Sequence, residues 1–466
     1  VAALCARLDG LPLAIELAAA QSKLLPPRTM LAQITVNRAL PVHERAHRPV
    51  RQRTMHDAIA WSYDLLSAEE RALFRTLSVF SGGWTFEAAE ALHAAMLELP
   101  EQPDLRRLLT AVPAFDPAAA ARPLAPVLEG SAVLAVLDGK AEGKAPEVEG
   151  VVFRPLAGML ADGSFAPALD RYGADDAIGA LNAAFVADGW FVDVAAGAVV
   201  EKPVELQNVQ AGGQSHVRLP VRVGAGARAT IVERQAGEGA GLATSVSQLT
   251  LDEGAEVLWI VVQEQPETAT HLAQFKAHLG KDSKLVLFVM NAGGRLVRQE
   301  VVVRTTGEGA DFKLRGVNLL AGDTHTDVTM VLDHAVPHTT STEIVRNVVT
   351  GKARGVFQGR INVHQYAQKT DAKMACNTLL LSDDGEFSTK PELEIFADDV
   401  QCGHGATVTE IDRNHLFYLM ARGIEEKTAR GLLVRAFLAE VIEELEDEAI
   451  VDALETRLND WFATHG

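Results

Sequence analysis

Gly226-Ala-Arg-Ala-Thr-Ile-Val-Glu233 opens on a Gly-Ala turn and runs straight into a β-rich stretch. The same arrangement returns at Gly254-Ala255, Asp282-Ser283 and Gly309-Ala310, at intervals of 28, 28 and 27 residues. The runs after or between these turns, such as Val257-Leu-Trp-Ile-Val-Val, Leu285-Val-Leu-Phe-Val and Val301-Val-Val-Arg, are rich in β-branched and aromatic residues, which suit a pleated surface. A turn recurring at this period marks a β-solenoid, in which each repeat stacks on the last because none buries its face alone. A β-sandwich with regular hairpins competes, since strands spaced by roughly 8–12 residues look similar in sequence. The near-constant interval favours a parallel β-helix, and residues 200–410 are assigned to it.

Working outward, residues 411–466 read as helical. Asp412 stands at a capping position. From Glu425 to Phe462, apolar residues at Leu432, Leu433, Ala436, Val441, Leu445, Ile450, Leu454 and Leu458 form a stripe against a charged outer face. Upstream, residues 93–199 read as helical and loop-like, with Pro and Ala in quantity (Pro113-Ala-Phe-Asp-Pro117). A helix is expected over Asp175–Asp188, where Ile178, Leu181, Ala184 and Phe185 recur at helical spacing. Residues 1–92 read as a separate, small all-α fragment. Pro26-Pro27 ends its first helix, and Ser67 with Glu70 makes a capping box for its last. The fold class is therefore mainly β: a solenoid flanked by helical parts and preceded by a small helical, winged-helix-like fragment.

Composition narrows the function. The 466 residues are 48% hydrophobic and 23% charged, ordinary values for chains with sizeable cores. No uncharged apolar run is long enough to span a bilayer. Three cysteines in a chain of this length argue against a disulfide framework and for a reducing compartment, the cytoplasm. The chain begins at Val1 inside what reads as a helix, as a fragment or a processed chain does. Net charge is −19, but residues 1–92 carry 10 Lys+Arg against 9 Asp+Glu, a net of +1 that leaves −20 for the rest. An acidic body repels nucleic acid and suits basic protein partners. Only the start has an electrostatic case for DNA, through Arg45, Arg48, Arg51 and Arg53, and a solvated loop accounts for these as well.

Chemistry concentrates in Ile395-Phe-Ala-Asp-Asp-Val-Gln-Cys-Gly-His-Gly-Ala406. Along a strand, residues i and i+2 face the same way, so Cys402 and His404 present sulfur and nitrogen side by side. That pairing suits soft transition metals and iron–sulfur clusters, and the adjacent Asp398 or Asp399 is a candidate acceptor for the second imidazole nitrogen. One thiol and one imidazole do not hold a cluster that takes four ligands. The site reads as half of a shared one, its missing ligands on another chain. Cys402 has a packing role as its alternative. Cys376 reads as core, and His325, His334, His338 and His364 as surface or satisfied core residues. Asp383-Asp384 reads as a turn. At 6% aromatic the chain lacks the stacking platforms of a carbohydrate enzyme, the other occupation of parallel β-helices.

Two resemblances follow. "LCARLDGLPLAIELAAA" and "RQRTMHDAIAWSYDLLSAEERALFRTLSVFSGGWTFEAAEAL" resemble the winged-helix region that follows the ATPase core in STAND-type (AfsR/LuxR-like) transcriptional regulators. The G-x-x-x-x-G-K-[ST] phosphate loop of that core is absent from the chain, so this piece is no nucleotide switch by itself. It carries the alternative function, a regulatory protein that binds DNA or a partner through residues 1–92 and uses the β-helix as an interaction module. Its join to the rest reads as a gene fusion or an assembly error.

The stretch "KTDAKMACNTLLLSDDGEFSTKPELEIFADDVQCGHGATVTEIDRNHLFYLMARGIEEKTARGLLVRAFLAEVIEEL", within a match over about residues 93–466, is similar to the SufD family of the Suf iron–sulfur cluster machinery. The resemblance implies a right-handed parallel β-helix between helical parts. It also implies a non-catalytic scaffold paired with a SufB-type paralogue, and a SufC-type ATPase docked on the C-terminal helices. A nascent cluster or iron would sit at the SufB–SufD interface, where the family's Cys-x-His-Gly-Ala-Thr motif makes His404 the contributing residue, with Cys402 beside it. A flavin on the assembled complex belongs to the same implication.

Overall fold

A computed structural model describes residues 121–169 and 176–465, all within the second of the chain's two compact units, Ala94–Gly466. The winged-helix-like reading of residues 1–92 lies outside the described residues.

The described chain is a two-sheeted β-solenoid. Four strands precede its regular part: β1 (Ala132–Leu137), β2 (Lys140–Glu142), β3 (Val151–Pro155) and β4 (Asp188–Val194). Then come β5 (Val204–Gln210), β6 (Gly213–Val223), β7 (Arg228–Gly237), β8 (Gly241–Leu251), β9 (Glu256–Gln263), β10 (Thr270–Leu279), β11 (Lys284–Asn291) and β12 (Leu296–Thr305). The last seven are β13 (Asp311–Leu320), β14 (His325–His334), β15 (Thr340–Val349), β16 (Arg354–Val363), β17 (Asp371–Leu380), β18 (Glu386–Ile395) and β19 (Gln401–Thr409). From β5 onward the odd strands stack parallel in one sheet and the even strands in the other. Each turn of the chain therefore lays one strand on each sheet, and side chains alternate between a shared interior and the outside.

The period that announced the fold is a corner of the solenoid. Gly226, Gly254, Asp282 and Gly309 all hold left-handed backbone, at φ 66, 66, 52 and 75°. His338 (φ 56°) and Lys369 (φ 63°) continue the series at the same corner. In that conformation each N–H points at the next rung: Gly226 N donates to Glu253 O, Gly254 N to Lys281 O and Asp282 N to Glu308 O, each at 2.8 Å. The residue after each left-handed position is small and buried: Ala227, Ala255, Ser283, Ala310, Thr339 and Thr370. Left-handed backbone costs a non-glycine residue about 1 kcal/mol. A Cβ at Gly254 meets nothing nearer than 4.0 Å, so conformation alone is at issue. Gly254→Ala should therefore lower stability by about 1 kcal/mol and Asp282→Gly should not. Paired urea titrations test this, and equal effects would contradict it.

The interior is apolar on one side, where Ile231, Trp259, Leu287 and Leu314 belong to one continuous core. A polar ladder lines the opposite corner. There Asn208 donates to Gln235 at 2.8 Å, Asn291 to Asn318 at 2.8 Å, and Asn318 to Asn347 at 2.7 Å. Stacked amides satisfy one another rung by rung, so burial leaves most of them paired.

The N-terminal end is closed by short antiparallel strands, β2 on β1 and β3 on β4. This amends the helical and loop-like reading of residues 93–199: the described part holds these four short strands as well as helices α1 (Leu156–Ala161) and α2 (Ala177–Phe185) and a short 3-10 turn. Ala-Val-Leu-Ala-Val-Leu at β1 lacks a helical apolar period, and the Ala-rich composition around it masked the strand. Helix α2 is also shorter than expected. Asp176 caps it by accepting from Gly179 N (2.7 Å). Asp188 instead begins β4, where its carboxylate takes Ala141 N (3.0 Å) and Ala157 N (2.9 Å).

After β19, Asp412 caps α3 (Arg413–Met420), and α4 (Glu426–Glu443) and α5 (Glu448–His465) follow. The apolar stripe of α4 and α5 faces the odd-strand sheet: Val441, Ile450, Leu454 and Leu458 are buried with Ile260, Phe288 and Val317. Ion pairs hold this packing, Arg315 Nε with Glu444 and Arg457 Nη1 with Glu264. The stripe is thus mostly core and not a docking face, except at Leu432 and Ala436, which are exposed.

Candidate functional site

Cys402 and His404 lie on β19, which among the described residues ends the odd sheet and pairs only with β17. Register places Cys402 against Ala372 and His404 against Met374. Continuing inward, Ala372 pairs with Ser341 and Met374 with Glu343. Both candidate residues therefore occupy the face that deeper rungs turn to the interior. Cys402 packs against the solenoid core and is partly buried, while His404 is exposed, with no further rung over it among the described residues. Burial, reinforced by the Asp371 and Glu343 carboxylates, pushes the Cys402 thiol above its ordinary range. Among the described residues no three His, Cys, Asp or Glu side chains stand close enough to hold a metal ion.

The acidic pair has another task. Asp398 accepts from Gln368 Nε2 (3.1 Å), and Asp399 pairs with Lys369 while its N–H donates to Gln368 Oε1 (3.0 Å). These bonds close the last corner before β19, and neither carboxylate orients His404. The expectation of an Asp398 or Asp399 acceptor is corrected accordingly: the pair sits on a turn, off the strand alternation that aims His404.

Cys376 is fully buried and accepts from Asn347 Nδ2 at 3.3 Å, as a core thiol. His334 is equally buried and satisfied on both nitrogens, by Thr339 at 2.7 Å and Ser341 at 3.2 Å. Desolvation lowers its pKa to about 4. His338 and His364 are exposed and His325 is half-buried.

Sequence reading missed Glu343. Its side chain is fully buried, and neither carboxylate oxygen has a hydrogen-bond partner. Desolvation raises its pKa to about 8, against the pull of the neighbouring Ser341 hydroxyl and the Arg315 charge. The signal was available: extending the turn period from Gly309 to His338 puts Glu343 on the inward alternation with Ser341 and Val345.

The open end is bare backbone. β18 and β19 are 10 and 9 residues long, and no described strand pairs with their outer edges. Around them Tyr366, Ile395, Phe396, Val408, Phe417, Tyr418 and Met420 are exposed. Long unpaired edges flanked by apolar side chains are templates for strand addition by a partner. No helix among the described residues is long and apolar enough to cross a membrane.

Among the described residues, a solenoid with short antiparallel strands at one end and a thiol and an imidazole on the unpaired edge of the other has the architecture of a scaffold. Residues 206–437 match the SufBD core domain of SUF system FeS cluster assembly. The iron–sulfur cluster assembly protein SufD of Escherichia coli K12 is 29% identical over 328 residues, covering 64% of this chain and 78% of that protein. A SufBD family protein of Synechocystis is 34% identical over 204 residues, 43% of this chain and 44% of its own. The chloroplastic protein ABCI7 of Arabidopsis thaliana is 28% identical over 299 residues, 61% and 62% of the two chains. The chain belongs to the SufBD family of iron–sulfur cluster assembly proteins, on its SufD side.

Proposed function

We propose that this chain is the SufD-type half of a Suf scaffold, pairing its open end with a SufB-type paralogue and lending His404 to a nascent cluster shared across that interface. The observation that carries the reading is the exposed imidazole on an uncovered strand edge. The ligand set there is too small for a cluster. A partner strand laid along β19 supplies backbone pairing and the missing ligands together. An incomplete site also favours release of the cluster, which a carrier must allow. Cys402, packed against the core with its thiol held protonated, serves as the floor of the site more than as a ligand.

The chain performs no turnover of its own in this reading, and a SufC-type ATPase docks on the C-terminal helices. With the stripe of α4 and α5 committed to the core, the docking surface is the exposed Phe417, Tyr418, Met420 and Leu432. Leu432 also lines a cavity of about 890 Å³ together with Ile411, Arg435 and Phe462. The sparse cysteines suit a reducing compartment such as the cytoplasm.

In the complex coexpressed with its partners, His404→Ala should abolish cluster absorbance while the subunits still copurify. Cys402→Ser should retain most of it. Full cluster assembly by the His404→Ala complex would sink the reading.

A further inference from the structure

We propose that Glu343 is the electrostatic partner of the cation at the Cys402–His404 edge: a carboxyl kept in the lumen that gives up its proton when a divalent cation arrives and stabilises it there by charge, without ligating it. The inference rests on the shared-site reading above and adds a residue to it.

The geometry comes from register. Glu343 lies under Met374, which lies under His404. Two rungs of about 4.8 Å separate the Glu343 and His404 backbones by about 10 Å. Glu343 therefore does not ligate alongside His404, and Met374 and Ala372 stand between it and the edge. The column below holds Leu314 and Leu287 in equivalent positions. A carboxyl is the exception in an apolar column, and a buried acid without a partner is costly unless it stays protonated or meets a cation.

Other charged groups do not supply that cation. Arg315, on the adjacent rung, is engaged by Glu444 and by the Leu314 and Thr342 carbonyls at 2.9 and 2.8 Å. Asp371 and the Cys402 thiol add negative or neutral groups above. Across the lumen, the inward positions of β14, β16 and β18 offer one titratable side chain, His334, already satisfied by Thr339 and Ser341. Gly359 leaves room for the Met374 thioether, since a Cβ there would collide with Sδ. The layer between carboxyl and edge is thus soft and uncharged, and a charge at the edge is felt through it at low effective dielectric. The step balances simply: the neutral carboxylic acid and an incoming divalent cation become carboxylate and bound cation, with one proton released to solvent.

The test uses Co²⁺ as probe on the assembled complex, by titration calorimetry at pH 6.0 to 8.5 in buffers of different ionisation enthalpy. Wild type should release one more proton per Co²⁺ than Glu343→Gln below pH 8. It should also bind about tenfold more tightly than that variant at pH 8. Glu343→Asp should restore part of both effects. A Glu343→Gln complex with unchanged affinity and proton release overturns this inference alone. A wild-type complex that binds no Co²⁺, or binds it equally after His404→Ala, overturns the shared-site reading and this inference with it.

Discussion

At pH 8.5, Glu343→Gln should be more stable than the wild-type chain by up to ~4–5 kcal/mol, and at pH 5 the two should differ little. Glu343 has a folded pKa of about 8 against an ordinary value of 4.5, so between those values the folded state holds a proton that the unfolded state has lost. The contribution is fully present below pH 4.5, declines as pH rises, and is gone above pH 8. Every pH unit between the two values corresponds to about 1.4 kcal/mol, which sets the ceiling. Glutamine keeps the shape of the neutral acid and has no proton to lose. Urea titrations followed by circular dichroism at the two pH values decide it. A gap that does not widen with pH would mean the carboxylate finds compensation in the fold.

The acid limb has the opposite sign. His216, His271 and His334 are buried neutral, with pKa values lowered by desolvation to about 4, 3 and 4. As pH falls below 6.5 the unfolded chain takes up protons that these imidazoles refuse, so stability drops by up to about 1.4 kcal/mol per pH unit for each. Three histidines outweigh one glutamate below pH 6.5, and the glutamate acts alone above it. Together these four groups place their stability maximum near neutrality.

The solenoid was legible because its corner needs left-handed backbone, and Gly226, Gly254 and Gly309 advertise that need. Beyond Gly309 the corner is held by His338 and Lys369, at intervals of 29 and 31 residues, and the pattern fades toward the end that carries Cys402 and His404. Upstream it fails differently. β1 pairs with β5, with Ala132 against Val204, so the chain makes a long excursion between two stacked strands and no period survives it. For the site, alternation put Cys402 and His404 on one face. It did not distinguish Asp398 and Asp399, which belong to a corner, from residues of the strand. Glu343 lay hidden for a related reason: a glutamate in an alternating strand reads as an outward residue until the register of its neighbours is known.

Deep in the solenoid, Trp259→Ala should cost at least about 4 kcal/mol. The indole is fully buried on β9, between Ile231 on β7 and Leu287 on β11, and meets Phe275 edge-on at 5.1 Å. Its removal leaves a cavity that rigid stacked rungs cannot close, worth about 3–5 kcal/mol. It also takes a donor from Glu233, whose carboxylate receives Trp259 Nε1 at 3.1 Å alongside Ser247 at 2.7 Å and Gln235 at 2.6 Å. A buried acid short of one donor adds about 1–3 kcal/mol. Trp259→Phe separates the two costs, keeping most of the volume and losing only the donor. If the phenylalanine variant is as damaged as the alanine one, the hydrogen-bonded carboxylate, and not the packing, holds this rung. Because each rung leans only on its neighbours, hydrogen exchange in Trp259→Ala should rise most in β7, β9 and β11 and least at β19. The β19 edge can then keep its structure while the middle of the solenoid is weakened.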